Sequence, residues 1–204
     1  MVRSGAGTLP GEQVGVFAIL QGSLAANANY ALTYVPNTLT INPLLNTLAV
    51  TANAGQGKLY GNNDPGLTFT TTGLVNGMVD GLLIQDTAAS LFSGSLSRDL
   101  FGTLAGEQVG KYMITQGSLA LVAGTNYGGT FTFTGDNFAI TPRPLTITAN
   151  NQVKSLNAAF SFTGSEFTAS GLVNGTVDGV PIADGISSVT LASAGSPITA
   201  LAGV

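Results

Sequence analysis

The chain repeats itself, and no other feature of its sequence restricts the fold as much. Gly7 to Leu24 (GTLPGEQVGVFAILQGSL) matches Gly102 to Leu119 (GTLAGEQVGKYMITQGSL) at thirteen of eighteen positions, 95 residues apart. The match continues across small insertions: Asn29-Tyr30 with Asn126-Tyr127, Ile41-Asn42-Pro43 with Ile140-Thr141-Pro142, and Leu48 to Asn53 with Leu145 to Asn150. Gly73 to Gly81 (GLVNGMVDG) returns as Gly171 to Gly179 (GLVNGTVDG) with one difference. The repeating unit is therefore about 97 residues long. The order of the matches sets the phase: residues 1–43 are the C-terminal half of one module, 44–142 a complete module, and 143–204 the N-terminal half of a further one. A parallel β-helix repeats every one or two dozen residues, roughly, so a period this long indicates a string of small domains.

Within a module the periodicity is that of strands. Leu48 to Ala52, Leu67 to Thr70, Lys111 to Thr115 and Thr130 to Thr134 alternate apolar with polar or small residues and are rich in β-branched and aromatic types. Turn signals separate them: Asp64-Pro65-Gly66, Asn76-Gly77, Asp80-Gly81 and Gly128-Gly129. The expected class is all-β, with tandem small β-sandwich modules of immunoglobulin-like type. The alternative is a β-grasp-like sheet with one short helix near Val75 to Ile84. Phe69, Tyr112, Ile114, Phe131, Phe133, Phe138 and Ile140 are the expected core. Half-modules at either end leave sheet edges unpaired.

The junctions are short. Phe138-Ala139-Ile140 runs through Thr141-Pro142-Arg143-Pro144 directly into Leu145-Thr146-Ile147, a linker with two prolines that is extended and stiff. The earlier junction, Asn42-Pro43-Leu44-Leu45-Asn46, has one proline and more freedom.

Composition limits the chemistry. There is no His and no Cys. That removes the Ser-His-Asp triad, the Cys-His dyad, the ordinary zinc and iron–sulfur sites and any disulfide. Only 8% of residues are charged and the net charge is −4, so neither nucleic acid nor an anionic membrane finds a basic surface to hold. A 44% apolar content is incompatible with disorder, and the longest apolar runs stop far short of a membrane span.

Each candidate residue has a plain reading beside a functional one. Tyr60-Gly61-Asn62-Asn63-Asp64-Pro65 is a turn or a small cation or glycan loop, and one carboxylate is few for calcium. Glu12 and Glu107 suggest a glycosidase pair but occupy the same position in successive modules, so they do not face one bond. Glu107 and Tyr112 fit a corner in which the Tyr hydroxyl bonds nearby backbone, although the equivalent residue in the first module is Phe17. Thr68, Thr70 and Thr72 with Thr130, Thr132 and Thr134 form either a flat ligand face or the solvated side of two strands. Arg3 and Arg98 match across the repeat and are placed to pair with Glu12 and Glu107.

Several of these words resemble the MBG and YDG type modules that stand in tandem in large secreted bacterial proteins similar to filamentous haemagglutinin and other surface adhesins. The resemblance rests on Lys58-Leu59-Tyr60-Gly61-Asn62-Asn63-Asp64-Pro65, Gly73-Leu74-Val75-Asn76-Gly77, Gly106 to Ile114, Asn126-Tyr127 and Phe138-Ala139-Ile140-Thr141-Pro142. The last module departs from the pattern, since Lys154 is followed by Ser155-Leu156-Asn157-Ala158-Ala159. The resemblance implies an extracellular or cell-surface β module in an adhesin stalk whose partners are neighbouring modules of the parent chain. It implies no catalytic, cofactor or metal residue. The expectation is therefore a non-enzymatic structural segment; the alternative is a module that binds a host glycan or protein through loops such as Tyr60–Gly66 or Leu82–Phe92.

Overall fold

A computed structural model describes residues 1–45, 48–187 and 189–199. Regular structure among them is almost all short strands, with one four-residue α-helix, Ala88–Leu91, and two 3-10 turns, Leu9–Glu12 and Ala105–Glu107. The fold is all-β. Asn46 of the first junction lies outside the described residues. The chain forms two compact units: Met1–Gln56, Gly66–Asp99 and Tyr112–Phe138 in one, Gly57–Pro65, Leu100–Lys111 and Ala139–Val204 in the other.

In the first unit Gly15–Leu20 lies between Val2–Arg3 and Asn37–Ile41, antiparallel to both, so among the described residues Asn37–Ile41 is an edge strand. A second sheet centres on Ala49–Ala52, antiparallel to Phe69–Thr72 and parallel to Thr132–Thr134. Alternation sets the faces here. Phe69 and Phe133 turn inward and are half-buried, while Thr70, Thr72, Thr132 and Thr134 are exposed, as are Thr68 and Thr130. Phe92 fills the layer, edge-on to Phe69 at 6.0 Å and to Phe131 at 5.1 Å.

Ile114, Phe138 and Ile140 of the expected core are buried; Phe69, Tyr112, Phe131 and Phe133 are half-buried. Leu48, Val50, Leu91, Phe92, Leu96 and Leu119 are buried as well. Leu91 and Phe92 reach the interior because Ala88–Leu91 is set by a capping box, in which Thr87 and Ser90 each satisfy the other's backbone N–H.

Two features depart from the sequence expectation. The stretch Val75 to Ile84 holds no helix: Asn76–Val79 and Leu82–Gln85 form an antiparallel hairpin. Its two-residue turn, Asp80 at φ 46° and Gly81 at φ 81°, is the type I′ geometry whose twist suits a hairpin, and Asp tolerates the left-handed region better than most residues. The second departure is parallel pairing. Leu44–Leu45 runs parallel to Tyr127–Gly128, and Gly57–Leu59 to Ala139–Thr141, besides the Thr132–Thr134 pair. Parallel neighbours cannot be joined by a tight turn, so the body of the module serves as the connection.

The second unit contains that Gly57–Leu59 pairing, an antiparallel pair Thr146–Ala149 with Phe167–Ser170, and a second Asp-Gly hairpin, Asn174–Val177 with Val180–Ala183. Asp178 (φ 48°) and Gly179 (φ 82°) repeat the turn at Asp80-Gly81. Val173, Val177 and Ile182 form its small core, with Tyr60 packed against them.

Candidate functional site

The most unusual chemistry in the chain is a buried lysine. Pairing of Gly57–Leu59 with Ala139–Thr141 puts Lys58 opposite Ile140 and turns its side chain inward, where only 3% of it stays exposed. The Nζ atom lies 2.7 Å from Asp64 Oδ1, 2.5 Å from Glu107 Oε2 and 2.6 Å from Asp178 Oδ2. An ammonium has three protons to donate and no acceptor, and here it meets three carboxylates. Each arrives by its own route: Asp64 on the turn that follows the lysine strand, Glu107 at the end of the Ala105–Glu107 turn, and Asp178 at the tip of a type I′ hairpin. The hairpin tip is also laced to the turn through the backbone. Asp64 N–H donates to both Asp178 oxygens at 3.0 Å, and Asp178 N–H donates to Asn63 Oδ1 at 3.0 Å.

Burial alone would push the Lys58 ammonium down, but the hydrogen bonds it donates to Asp178, Asp64 and Glu107 outweigh that, and its pKa stands above the ordinary 10.5. A raised pKa means the stabilisation is complete below pH 10.5 and is lost only as pH rises through the folded-state value. The carboxylate oxygens lie within 4.8 Å of one another, close enough to hold a divalent ion. The ammonium stands at the point such an ion would take.

The turn after Lys58 fits its neighbour closely. Gly61 sits at φ 83°, and a Cβ there would come 2.3 Å from Val173 Cγ2. Tyr60 lays its ring on Val173, Val177 and Ile182 and donates its hydroxyl proton to Asp184 Oδ1 at 2.8 Å. Asp184 Oδ2 accepts Val173 N–H at 3.1 Å. In the final repeat, Asn157 follows Lys154 at the spacing by which Gly61 follows Lys58, and it takes the same left-handed corner at φ 61°. The corner persists there without the Tyr-Gly words.

A related junction lies in the first unit. The Tyr127 hydroxyl accepts Val75 N–H at 2.6 Å and donates to Asp86 Oδ2 at 2.6 Å. Burial and the Asp86 carboxylate push its pKa up to about 12. This contribution is full below pH 10.0 and fades as pH rises toward 12. Tyr127→Phe leaves both partners of a buried hydroxyl unsatisfied, with an expected loss of about 1–3 kcal/mol. Denaturant melts measure that loss. In a spectrophotometric tyrosinate titration, the step missing from the variant should fall near pH 12; a step near pH 10 would refute the buried bond.

The residues singled out in the sequence fare differently. Tyr60 to Pro65 is a turn, as its plain reading has it, but its single carboxylate is joined by two from distant segments. Glu12 and Glu107 lie in different units, Glu12 held by Arg3, which also bonds Gly11 O, and Glu107 by Lys58. Arg98 lies 5.2 Å over the Tyr112 ring, and Arg3 lies 5.7 Å over the Phe17 ring. One feature that recurs is thus a cation over an aromatic face, which explains why Phe can stand where the other module has Tyr. Leu82–Phe92 is strand and helix, not open loop. Neither Lys58 nor Asp178 stands out in the sequence as a site residue. The recurrence of Val-Asp-Gly at both hairpin tips was the available signal, and it also satisfies a plain turn.

A family model described as MBG domain (YGX type) matches residues 48–139, a span that includes Lys58, the Tyr60-Gly61-Asn62 corner and Glu107. No curated protein and no solved structure matches the chain. Residues 48–139 are thus similar to the MBG domain of the YGX type.

Proposed function

We propose that the chain is a non-catalytic structural segment of a secreted bacterial surface protein, a stalk of tandem MBG modules that positions a binding region carried elsewhere on an adhesin. One observation carries this reading. Lys58, Asp64 and Glu107 belong to the complete repeat and Asp178 to the next, and all four meet in one compact unit. Consecutive repeats joined through a buried ionic cluster do not behave as beads on a loose string. MBG domains are typical of extracellular surface proteins, and no helix among the described residues is long and apolar enough to cross a membrane.

The lysine is also poorly suited to covalent catalysis. A nucleophilic lysine needs a depressed pKa to present a free amine, whereas that of Lys58 is raised and its protons are engaged. Binding through the Tyr60 loop is less supported, because the Tyr60 hydroxyl is taken up by Asp184.

Small-angle scattering on a protein of three intact modules should give a rod whose length grows in equal steps with module number. A radius of gyration near the ~2.2 N^0.38 Å of a globule would overturn the stalk reading.

A further inference from the structure

The first unit contains a cavity of about 230 Å³ lined by Glu12, Ile41, Val75, Val79, Ile84 and Asp86, among others. These are the repeat equivalents of Glu107, Ile140, Val173, Val177, Ile182 and Asp184. In the second unit those six residues surround Lys58-Leu59-Tyr60. Glu107 holds the ammonium, Ile140 pairs with Lys58 across the parallel ladder, the three aliphatic residues carry the Tyr60 ring, and Asp184 accepts its hydroxyl. The two places have the same lining, and the first unit has space where the second has a strand.

Two further differences agree. Gly57–Leu59 adds to the Asn137–Thr141 strand in parallel, whereas among the described residues the equivalent strand, Asn37–Ile41, pairs on one side only. Asp178, under the lysine, has 8% of its side chain exposed; Asp80, at the same hairpin position, has 70% exposed and, among the described residues, is reached by Arg3 at 3.4 Å.

We infer that this cavity and edge are a docking site for a Gly-Lys-x-Tyr-Gly strand of another MBG module. The strand adds to Asn37–Ile41 in parallel, its Gly opposite Thr40 and its Lys opposite Ile41. The ammonium is taken by Glu12 and Asp80. The Tyr ring lies on Val75, Val79 and Ile84, and its hydroxyl reaches Asp86 Oδ1, the atom corresponding to the one that receives Tyr60 in Asp184; Oδ2 of Asp86 receives Tyr127. Strand addition supplies main-chain bonds, and the lysine and tyrosine supply selectivity. The inference rests on the modular reading of the chain but not on its service as a stalk.

The probe is a synthetic peptide of residues 54–65, AGQGKLYGNNDP, added to the full chain. Titration calorimetry should show one-to-one binding. Amide shifts should concentrate on Asn37–Ile41 and Asn76–Gln85. Replacing the peptide lysine with methionine, or making Asp80→Asn in the protein, should weaken binding by about tenfold or more. Asp80 is an exposed turn residue where Asn is well accepted, so that variant should stay folded. The same peptide tethered ahead of Met1 by a flexible linker raises its effective concentration to roughly the millimolar range and should slow hydrogen exchange in Asn37–Ile41. The inference is overturned if the tethered form gives no protection, or if the peptide binds equally well without its lysine. Either failure leaves the scattering result of the stalk test untouched.

Discussion

Lys58→Ala is expected to lower the stability of the unit that holds it by about 3–5 kcal/mol, the usual cost of removing one partner from a buried ion pair. The reason is less the lost attraction than what remains: Asp64, Glu107 and Asp178 with their oxygens within 4.8 Å of each other and no ammonium between them. Chemical denaturation with a probe in the second unit measures the effect, and a loss below about 1 kcal/mol, the range of exposed pairs, would show that the cluster is solvated. Two controls separate charge from packing. Lys58→Met keeps most of the side-chain volume and should lose nearly as much. Millimolar calcium should restore part of the loss in Lys58→Ala, by supplying oxygen-coordinated positive charge, and should leave the native chain unchanged. Replacing all four residues together with apolar ones is a different experiment, since a well-packed substitute can match a buried ionic cluster in stability. What the cluster adds is register, because a hairpin shifted by one residue would turn Asp178 away from the lysine.

Gly61→Ala is the second large effect, with an expected loss of about 2–5 kcal/mol. The left-handed backbone at φ 83° accounts for roughly 1–2 kcal/mol of it. Overlap between the new methyl group and Val173 Cγ2, 2.3 Å away, adds an overpacking cost of about 1–3 kcal/mol. Gly55 is the internal standard, because it has φ 76° with nothing within 4 Å of its would-be Cβ. Gly55→Ala should therefore show the backbone cost alone. The difference between the two variants isolates the contact with Val173, and Val173→Ala in the Gly61→Ala background should recover part of it through a favourable coupling. Equal losses at Gly55 and Gly61 would mean that the corner does not press against the hairpin.

Local patterns in the sequence were legible to the extent that local physics determines them. Alternation located Ala49–Ala52, Gly110–Thr115 and Thr132–Thr134, placed Phe69–Thr72 two residues early, and assigned Thr68, Thr70, Thr72, Thr130, Thr132 and Thr134 to solvent, where they lie. Asp80-Gly81 marked a true turn, but Asn76-Gly77 did not: Gly77 lies inside a strand at φ 154°, since register with Ile84 decides the matter and a dipeptide does not. The parallel ladders were hidden because their partners are far apart in the chain; Thr141 bonds Lys58 O across 83 residues. The site was hidden for the same reason. Glu107 and Asp178 reach Lys58 from 49 and 120 residues away. Each carboxylate, taken alone, looks like a surface residue of a turn. The repeat was nonetheless the guide to the unfilled counterpart, for only an alignment of one module on the next shows that Glu12 and Asp86 line a place equivalent to the one that Lys58-Leu59-Tyr60 fills beside Glu107 and Asp184.

The parallel pairs have a mechanical consequence. Ala49–Ala52 and Thr132–Thr134 run in the same direction, so tension that enters at the Ala49 end and leaves at the Thr134 end draws the strands past one another. Their hydrogen bonds lie across the line of pull and share the load, whereas an antiparallel hairpin opened from its free ends gives up its bonds one after another. Resistance to such a pull is governed by the rate of unfolding rather than by equilibrium stability. First-to-last parallel pairing therefore suits a module that must transmit force along its own chain.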